Sequence, residues 1–283
     1  LIKEMASMVG IENTGSVADF SEKLYHYPRG TVQYLPPYRP EHQIKLMRFL
    51  GISPAESHSK ASIPFITTVG EQRNIKSAEE IVELEHAVSM TTEMHQAAMR
   101  FAKPGMTEAQ IAAKVHEVAL AAGGGISFPI IATINGQTLH NHFHGNTIKE
   151  GQLFLLDAGY ESPMGYAGDM SSTFPVGKTF TEKQKEIYRI TLAAHNGAID
   201  MLKPGIHFRD VHMQVAKTIF DGMKALGFTK GNTDDAIANG AHALFFPCGT
   251  GHLMGLDVHD MENLGEQYVG YCGIPKSKQF GLK

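Results

Sequence analysis

Tryptophan is missing from this 283-residue sequence, and cysteine occurs only twice, as Cys248 and Cys272. Two thiols cannot build a disulfide framework, and so few suit a reducing compartment. No apolar run approaches the roughly 18 residues that a membrane-spanning helix needs. The first residues, LIKEMASMVG, lack the layout of a signal peptide, so a cytoplasmic location is expected. Nor is there an excess of charge of one sign: the net charge is −4, with acids and bases interspersed. That balance argues against a nucleic-acid partner or an anionic membrane surface. Several catalytic signatures are also missing. There is no G-x-S-x-G serine elbow, and His116-Glu117 lacks the second histidine of a zinc-protease helix. Gly249, Gly251 and Gly255 are spaced one residue too far for a dinucleotide loop, with apolar residues where a helix N-terminus should meet phosphate.

What is present is ample apolar content, 42% of residues, enough for a large core in one domain or two. Histidine is plentiful at 15, so only spacing can single any of them out. The rest of the chain is organised around the stretch from His140 to Asp169. Within it LFLLD, ending at Asp157, reads as a buried strand, and Gly165 to Val176 reads as its hairpin partner across the turn cluster Glu161-Ser162-Pro163-Met164-Gly165. Asp157 and Asp169 can then face each other on neighbouring strands. Like charges so close repel, and a divalent cation between them, or a pair of cations, is the simplest resolution. The plainer reading of Asp157, that it merely closes a turn before Ala-Gly, stands beside this one.

Residues 1–71 read as the remnant of a separate small α/β domain. YLPPYRPEHQ, with three prolines, bars regular helix there, and ASIPFITTVG (residues 61–70) reads as a strand. A second domain is expected over residues 72–283. It opens on a capping box, Ser77 with Glu80, ahead of a helix with Ile81, Leu84, Val88, Met94 and Ala98 inward, ended by Lys103-Pro104-Gly105. Thr107 and Gln110 cap a second helix, with Ile111, Val115 and Val118 inward, that stops at Gly123. SFPIIATING then reads as a strand leading to His140. After the hairpin, Thr181 and Gln184 cap a third helix, which ends at a second Lys-Pro-Gly, 203–205, one hundred residues after the first. A fourth carries Val211, Val215 and Ile219 inward. Two similar α-α-β halves are expected, and sites often lie where such halves meet.

The second half supplies FFPCGTGHLMGLDVHD, with His252 after a glycine-flanked turn and His259 seven residues later. Imidazole is the usual nitrogen ligand of a divalent metal, although a lone histidine is more often a satisfied core residue. Cys248 reads as a small buried residue packed near the site. His140, His142 and His144 alternate and on a strand would share a face. They form a rival three-histidine metal site of the β-barrel oxygenase kind, disfavoured because helices dominate the chain.

Taken together, DAGYESPMGYAGDMSSTFPV and GTGHLMGLDVHD resemble the two signature stretches of the pita-bread metallopeptidases, the group of Xaa-Pro aminopeptidase, prolidase, creatinase and methionine aminopeptidase. The resemblance covers roughly residues 72 to 283. The DVHD ending and the preceding separate domain favour the Xaa-Pro aminopeptidase and prolidase branch. It implies an α/β (α+β) pita-bread fold with pseudo-twofold halves. It also implies that Asp157 chelates one metal, Asp169 bridges two, and His252 binds the second. His140 stands where the family keeps a substrate-side histidine, and His259 matches the one that steadies the intermediate and shuttles protons. Both are therefore expected to be catalytic and substrate-binding.

The implied cofactors are two divalent ions, most often Mn2+, with Co2+ or Zn2+ admitted by the imidazole. The implied reaction is hydrolysis of the Xaa-Pro bond in peptides with proline at position two, in a homodimer. Prolidase, confined to dipeptides, is the alternative within the family, and a non-catalytic peptidase-like binding module the alternative outside it. Two departures from the family pattern bear on activity. The two further glutamate ligands are expected beyond Lys283, so this chain reads as an internal fragment that can be inactive alone. Cys248 replaces another active-site histidine of many relatives.

Overall fold

The computed structural model describes residues 2–270, which form two compact units: residues up to Ile75 together with 262–270, and residues 76–261. In the first unit the helices are α1 (Ile2–Met8), α2 (Phe20–Tyr25), α3 (Pro40–Leu50) and α4 (Ile63–Asn74), with no strand among its described residues. The prolines that bar helix upstream also start one: Pro40 opens α3 at its first turn, where no N–H is needed, and Gly51 closes it in the left-handed conformation. The strand expected over 61–70 is a correction. That stretch belongs to α4, because the Ser62 hydroxyl accepts from Phe65 N and Pro64 occupies the first turn. The β-branched Thr67 and Thr68 are accommodated by donating back to the carbonyls of Ile63 and Pro64.

The second unit opens with α5 (Ala78–Phe101) and α6 (Glu108–Ala121), both started by the capping boxes read from sequence. Five strands follow: β1 (Gly125–Ile126), β2 (Ile131–Thr133), β3 (Leu153–Ala158), β4 (Tyr160–Glu161) and β5 (Met170–Pro175). β2, β3 and β5 form an antiparallel sheet in that order, and β1 pairs with β4. The register sets Asp157 opposite Ile131 on one side and Ser171 on the other.

Met94 and Ala98 of α5 and Ile111 and Val115 of α6 share one core with Phe154, Leu156 and Tyr160. Ile81 was expected inward but is 47% exposed. The buried stripe of α5 begins a turn and a half later and runs Ala87, Thr91, Met94, His95 and Ala98.

The helical pair recurs as α7 (Glu182–Met201), again capped by Thr181 and Gln184, and α8 (Phe208–Ala225). Val211 and Val215 pack on Ala194 and Ala198. After α9 (Thr233–Ala238) and a short 3-10 turn over Ala241–Leu244, residues 245–261 run as turns and extended loop. Among the described residues, strands therefore follow the first helical pair and not the second. The last short helix, α10 (Glu266–Val269), packs with α4 in the first unit.

Candidate metal centre

LFLLD reads as buried throughout, yet β3 alternates. Phe154, Leu156 and Ala158 point into the core, while Leu153, Leu155 and Asp157 are half-buried on the other face. That second face carries the site. Ser127 Oγ donates to Gly168 O (2.7 Å), and Gly168 N donates to Tyr160 O (2.7 Å), closing the 159–168 turn on itself. The glycines flanking the aspartates have a steric reason. A methyl group at Gly159 would collide with Gly168 O, and one at Gly168 would collide with Thr91 Oγ1 and Ala87 O of α5. Backbone lies against backbone here, which brings Asp169 beside Asp157.

The consequence is electrostatic. Burial, and then the charge of Asp169, push the Asp157 carboxyl up to about 6 from an ordinary 3.8, against a hydrogen bond from Ser171. His140 lies close enough for its charge to oppose that rise. Asp157 Oδ1 is buried and has no hydrogen-bond partner. An acceptor-only atom left so, beside a second carboxylate, is what a cation ligand looks like before loading.

From the second half, His252 brings Nε2 to 3.0 Å from Asp169 Oδ2, with its Nδ1 2.8 Å from Leu253 O. A carbonyl only accepts, so Nδ1 holds the proton and Nε2 carries the lone pair, the tautomer a metal ligand needs. Lone pair against carboxylate at that distance calls for a proton or a metal ion between them. The His259 ring stacks on His252 with centroids 3.8 Å apart. Ligand atoms of Asp169, His252 and His259 lie within 4.8 Å of one another, the one such group among the described residues. The residues present thus fit a divalent cation: carboxylates with imidazole suit Mn2+, Co2+ or Zn2+.

The structure therefore draws Asp169, His252 and His259 together, with Asp157 coupled to Asp169 but outside that group of three. His140 stands near Asp157 in a left-handed backbone conformation, φ +52°, and is exposed. His142 is exposed, and the His144 ring donates to Ile130 O at 3.0 Å. The three alternating histidines lie in coil and form no ligand group among the described residues. Cys248, expected to be buried, is exposed, because residues 247–249 lie on an open turn. Cys272 lies outside the described residues, and the two glutamates expected beyond Lys283 lie outside the sequence.

Two supporting side chains were not anticipated as such. His95 of α5 is buried under the sheet, its Nδ1 2.7 Å from Ser172 Oγ and its Nε2 3.2 Å from Ala158 O. Burial lowers its pKa. Glu108, fully buried, accepts from Ile134 N (2.9 Å), Asn146 N (3.0 Å) and Asn146 Nδ2 (3.0 Å), bracing both ends of the loop that carries His140. In the sequence His95 is one of 15 histidines, and Glu108 is a first-turn acid of its helix.

Residues 82–278 match metallopeptidase family M24. The Xaa-Pro aminopeptidase of Escherichia coli K12 is 37% identical over 203 residues, covering 70% of this chain and 45% of that protein. The Xaa-Pro aminopeptidase of Haemophilus influenzae is 35% identical over 201 residues, covering 70% and 46%. The chain thus spans less than half the length of these curated relatives. Among solved structures, a glutamate-to-alanine variant of Escherichia coli aminopeptidase P in complex with substrate superposes with a TM-score of 0.79 at 30% identity. It covers 90% of this chain and 60% of that one. Proline aminopeptidase P II from Yersinia pestis superposes with a TM-score of 0.67 at 36% identity, covering 71% and 47%. No helix among the described residues is long and apolar enough to cross a membrane.

Proposed function

This chain belongs to metallopeptidase family M24, and from that premise we propose that its protein hydrolyses the Xaa-Pro bond, releasing the first residue of peptides with proline second. The observation that carries the reading is the meeting of His252 Nε2 with Asp169 Oδ2 at 3.0 Å, beside His259 and an ionically strained Asp157. Asp157, Asp169 and His252 would hold two divalent cations, Mn2+ foremost, with Co2+ or Zn2+ as substitutes. When bound, such cations supply Lewis acidity at the scissile carbonyl.

The chain's own residues do the rest. Asp169 Oδ2 and His252 Nε2 converge from the two halves, and the Nδ1–H bond to Leu253 O fixes the ring that carries the ligand nitrogen. His259, exposed and stacked on His252, would face the peptide and hold a proton for it. An Xaa-Pro bond is a tertiary amide with no N–H, so its nitrogen must gain a proton to leave. His259, grouped with Asp169, and His140, near Asp157, would provide it. A homodimer in the cytoplasm completes the reading, on the resemblance and on the scarcity of cysteine.

The experiment is to supply the protein with Mn2+ and tripeptides of the form Xaa-Pro-Xaa, and to follow the freed first residue with and without EDTA. Release that EDTA abolishes supports the reading. Cleavage confined to Xaa-Pro dipeptides points to prolidase, and metal content near zero with no cleavage points to a binding module.

A further inference from the structure

Asp260, next to His259, is 1% exposed, and Lys76 Nζ lies 2.8 Å from its Oδ2. The lysine side chain is itself only 15% exposed. A carboxylate so buried is costly unless a cation meets it, and the cation comes from 184 residues earlier in the chain, one residue before the cap of α5.

Asp260 is also the brace of its own loop. Its N–H donates to Leu253 O (2.9 Å), and its Oδ1 accepts from Asp257 N (3.4 Å). Gly255 N donates to Asp257 O (3.1 Å), while Gly255 O accepts from Ala167 N (2.9 Å), joining the loop to the turn that carries Asp169. There is no room for a side chain at Gly255, where a methyl carbon would come 2.5 Å from Asp260 Oδ2. The same end of α5 holds the other partner of the site. Glu80 accepts from the Tyr166 hydroxyl (3.0 Å), and Glu83 from Ser162 Oγ (3.0 Å). Lys76 just ahead of the cap, and Glu80 and Glu83 one helical turn apart on α5, thus moor both site-bearing loops to one helix end.

We propose that Lys76 is a positioning residue that acts through Asp260 to hold the 252–260 loop, and with it His252 and His259, against Asp169. The inference rests on the proposed reading of the site, but it concerns ring geometry that exists without metal. Lys76 acts at one remove from the site, through its ion pair with Asp260. Its part is to make a buried Asp260 tolerable and so keep the loop closed.

The test is NMR of the histidine Cε1–Hε1 signals in metal-free wild type, Lys76→Met and Lys76→Arg, with His116 of α6 and His195 of α7 as reporters outside the site-bearing loops. In Lys76→Met the His252 and His259 signals move or broaden while His116 and His195 stay in place, and Lys76→Arg restores them. Mn2+ titration of the same proteins then shows half-saturation raised by about 10–100-fold in Lys76→Met, the range for loss of a residue that supports ligands. Unmoved His252 and His259 signals, or a displacement shared equally by all four rings, would overturn the proposal. Should Lys76→Met fail to fold, Asp260→Asn, which keeps the shape and removes the charge, is held to the same comparison. A wild-type chain that bound no Mn2+ would count against the peptidase reading and leave the ring comparison standing.

Discussion

His252 Nε2 stands 3.0 Å from Asp169 Oδ2, although 83 positions separate them in the chain. Neither local sequence nor either half alone produces that meeting. It requires the glycine-lined turn that presents Asp169 and the closed loop that presents His252. Asp169→Ala removes the shared partner, so Mn2+ binding should weaken by more than the roughly 10–100-fold lost with a merely supporting residue. Isothermal titration with Mn2+ measures it, and an unchanged dissociation constant would remove Asp169 from the ligand set.

Asp157 makes a prediction about metal-free stability. Its folded pKa, about 6, lies above the ordinary 3.8, raised by burial and then by Asp169. A raised folded pKa means that the contribution is fully present below 3.8 and is lost as pH rises through about 6. Asp157→Asn should therefore stabilise the metal-free chain at pH 8 and leave it unchanged near pH 3.5. Discounted for partial exposure, the gain is roughly 1 kcal/mol, or about 2–4 °C in Tm for a domain of this size. Thermal melts at the two pH values, with EDTA present, read it directly. Saturating Mn2+ should reverse the order, because the wild-type carboxylate then has a cation.

Glu108 carries a different expectation. Replacing it by Gln puts an amide against three N–H donors that now meet carboxyl oxygens. Each buried donor left without an acceptor costs about 1–3 kcal/mol, so the variant should lose that much stability in denaturant titration. Hydrogen exchange should quicken across 134–146, where His140 sits, more than in the middle of α5. Uniform quickening would show that Glu108 stabilises the unit at large.

The buried pair His212 and His242 is not part of the ligand group but backs the loop that leads to it, with His212 Nδ1 2.8 Å from Thr250 Oγ1 and the two rings 6.2 Å apart. Burial, helped by His242, pushes His212 down to about 4, and burial also lowers His242. For a base with a depressed pKa the contribution is fully present above 6.5 and is lost as pH falls through about 4. His212→Asn should lower Tm at pH 8, where the neutral ring packs on Phe246. The gap to wild type should narrow at pH 5, and an equal gap at both values would contradict the buried neutral ring.

What the sequence disclosed was whatever the chain specifies locally. Ser77 with Glu80, Thr107 with Gln110 and Thr181 with Gln184 are capping boxes in the structure because their bonds span three residues. Asp157, Asp169, His252 and His259 stood out through glycine and motif context. Residues 61–70 misled, since Ile and Thr favour strands in general, while Ser62 and Pro64 settle the matter for helix here. Ile81 fits a helical period, yet it falls on the first turn, before α5 reaches the sheet. Lys76, Glu108 and His95 left no local trace, because their partners lie 184, 26 to 38, and 63 to 77 residues away. Contacts of that range are decided by the fold as a whole.

The strict alternation of β3 has a consequence for how this segment can vary. Inserting or deleting one residue between Leu153 and Asp157 would turn the strand over. The carboxylate would enter the hydrocarbon interior and Leu156 would emerge among the ligands. Individual side chains along it can be exchanged for others of similar bulk, but its length is a fixed quantity, set by which way a single oxygen must look.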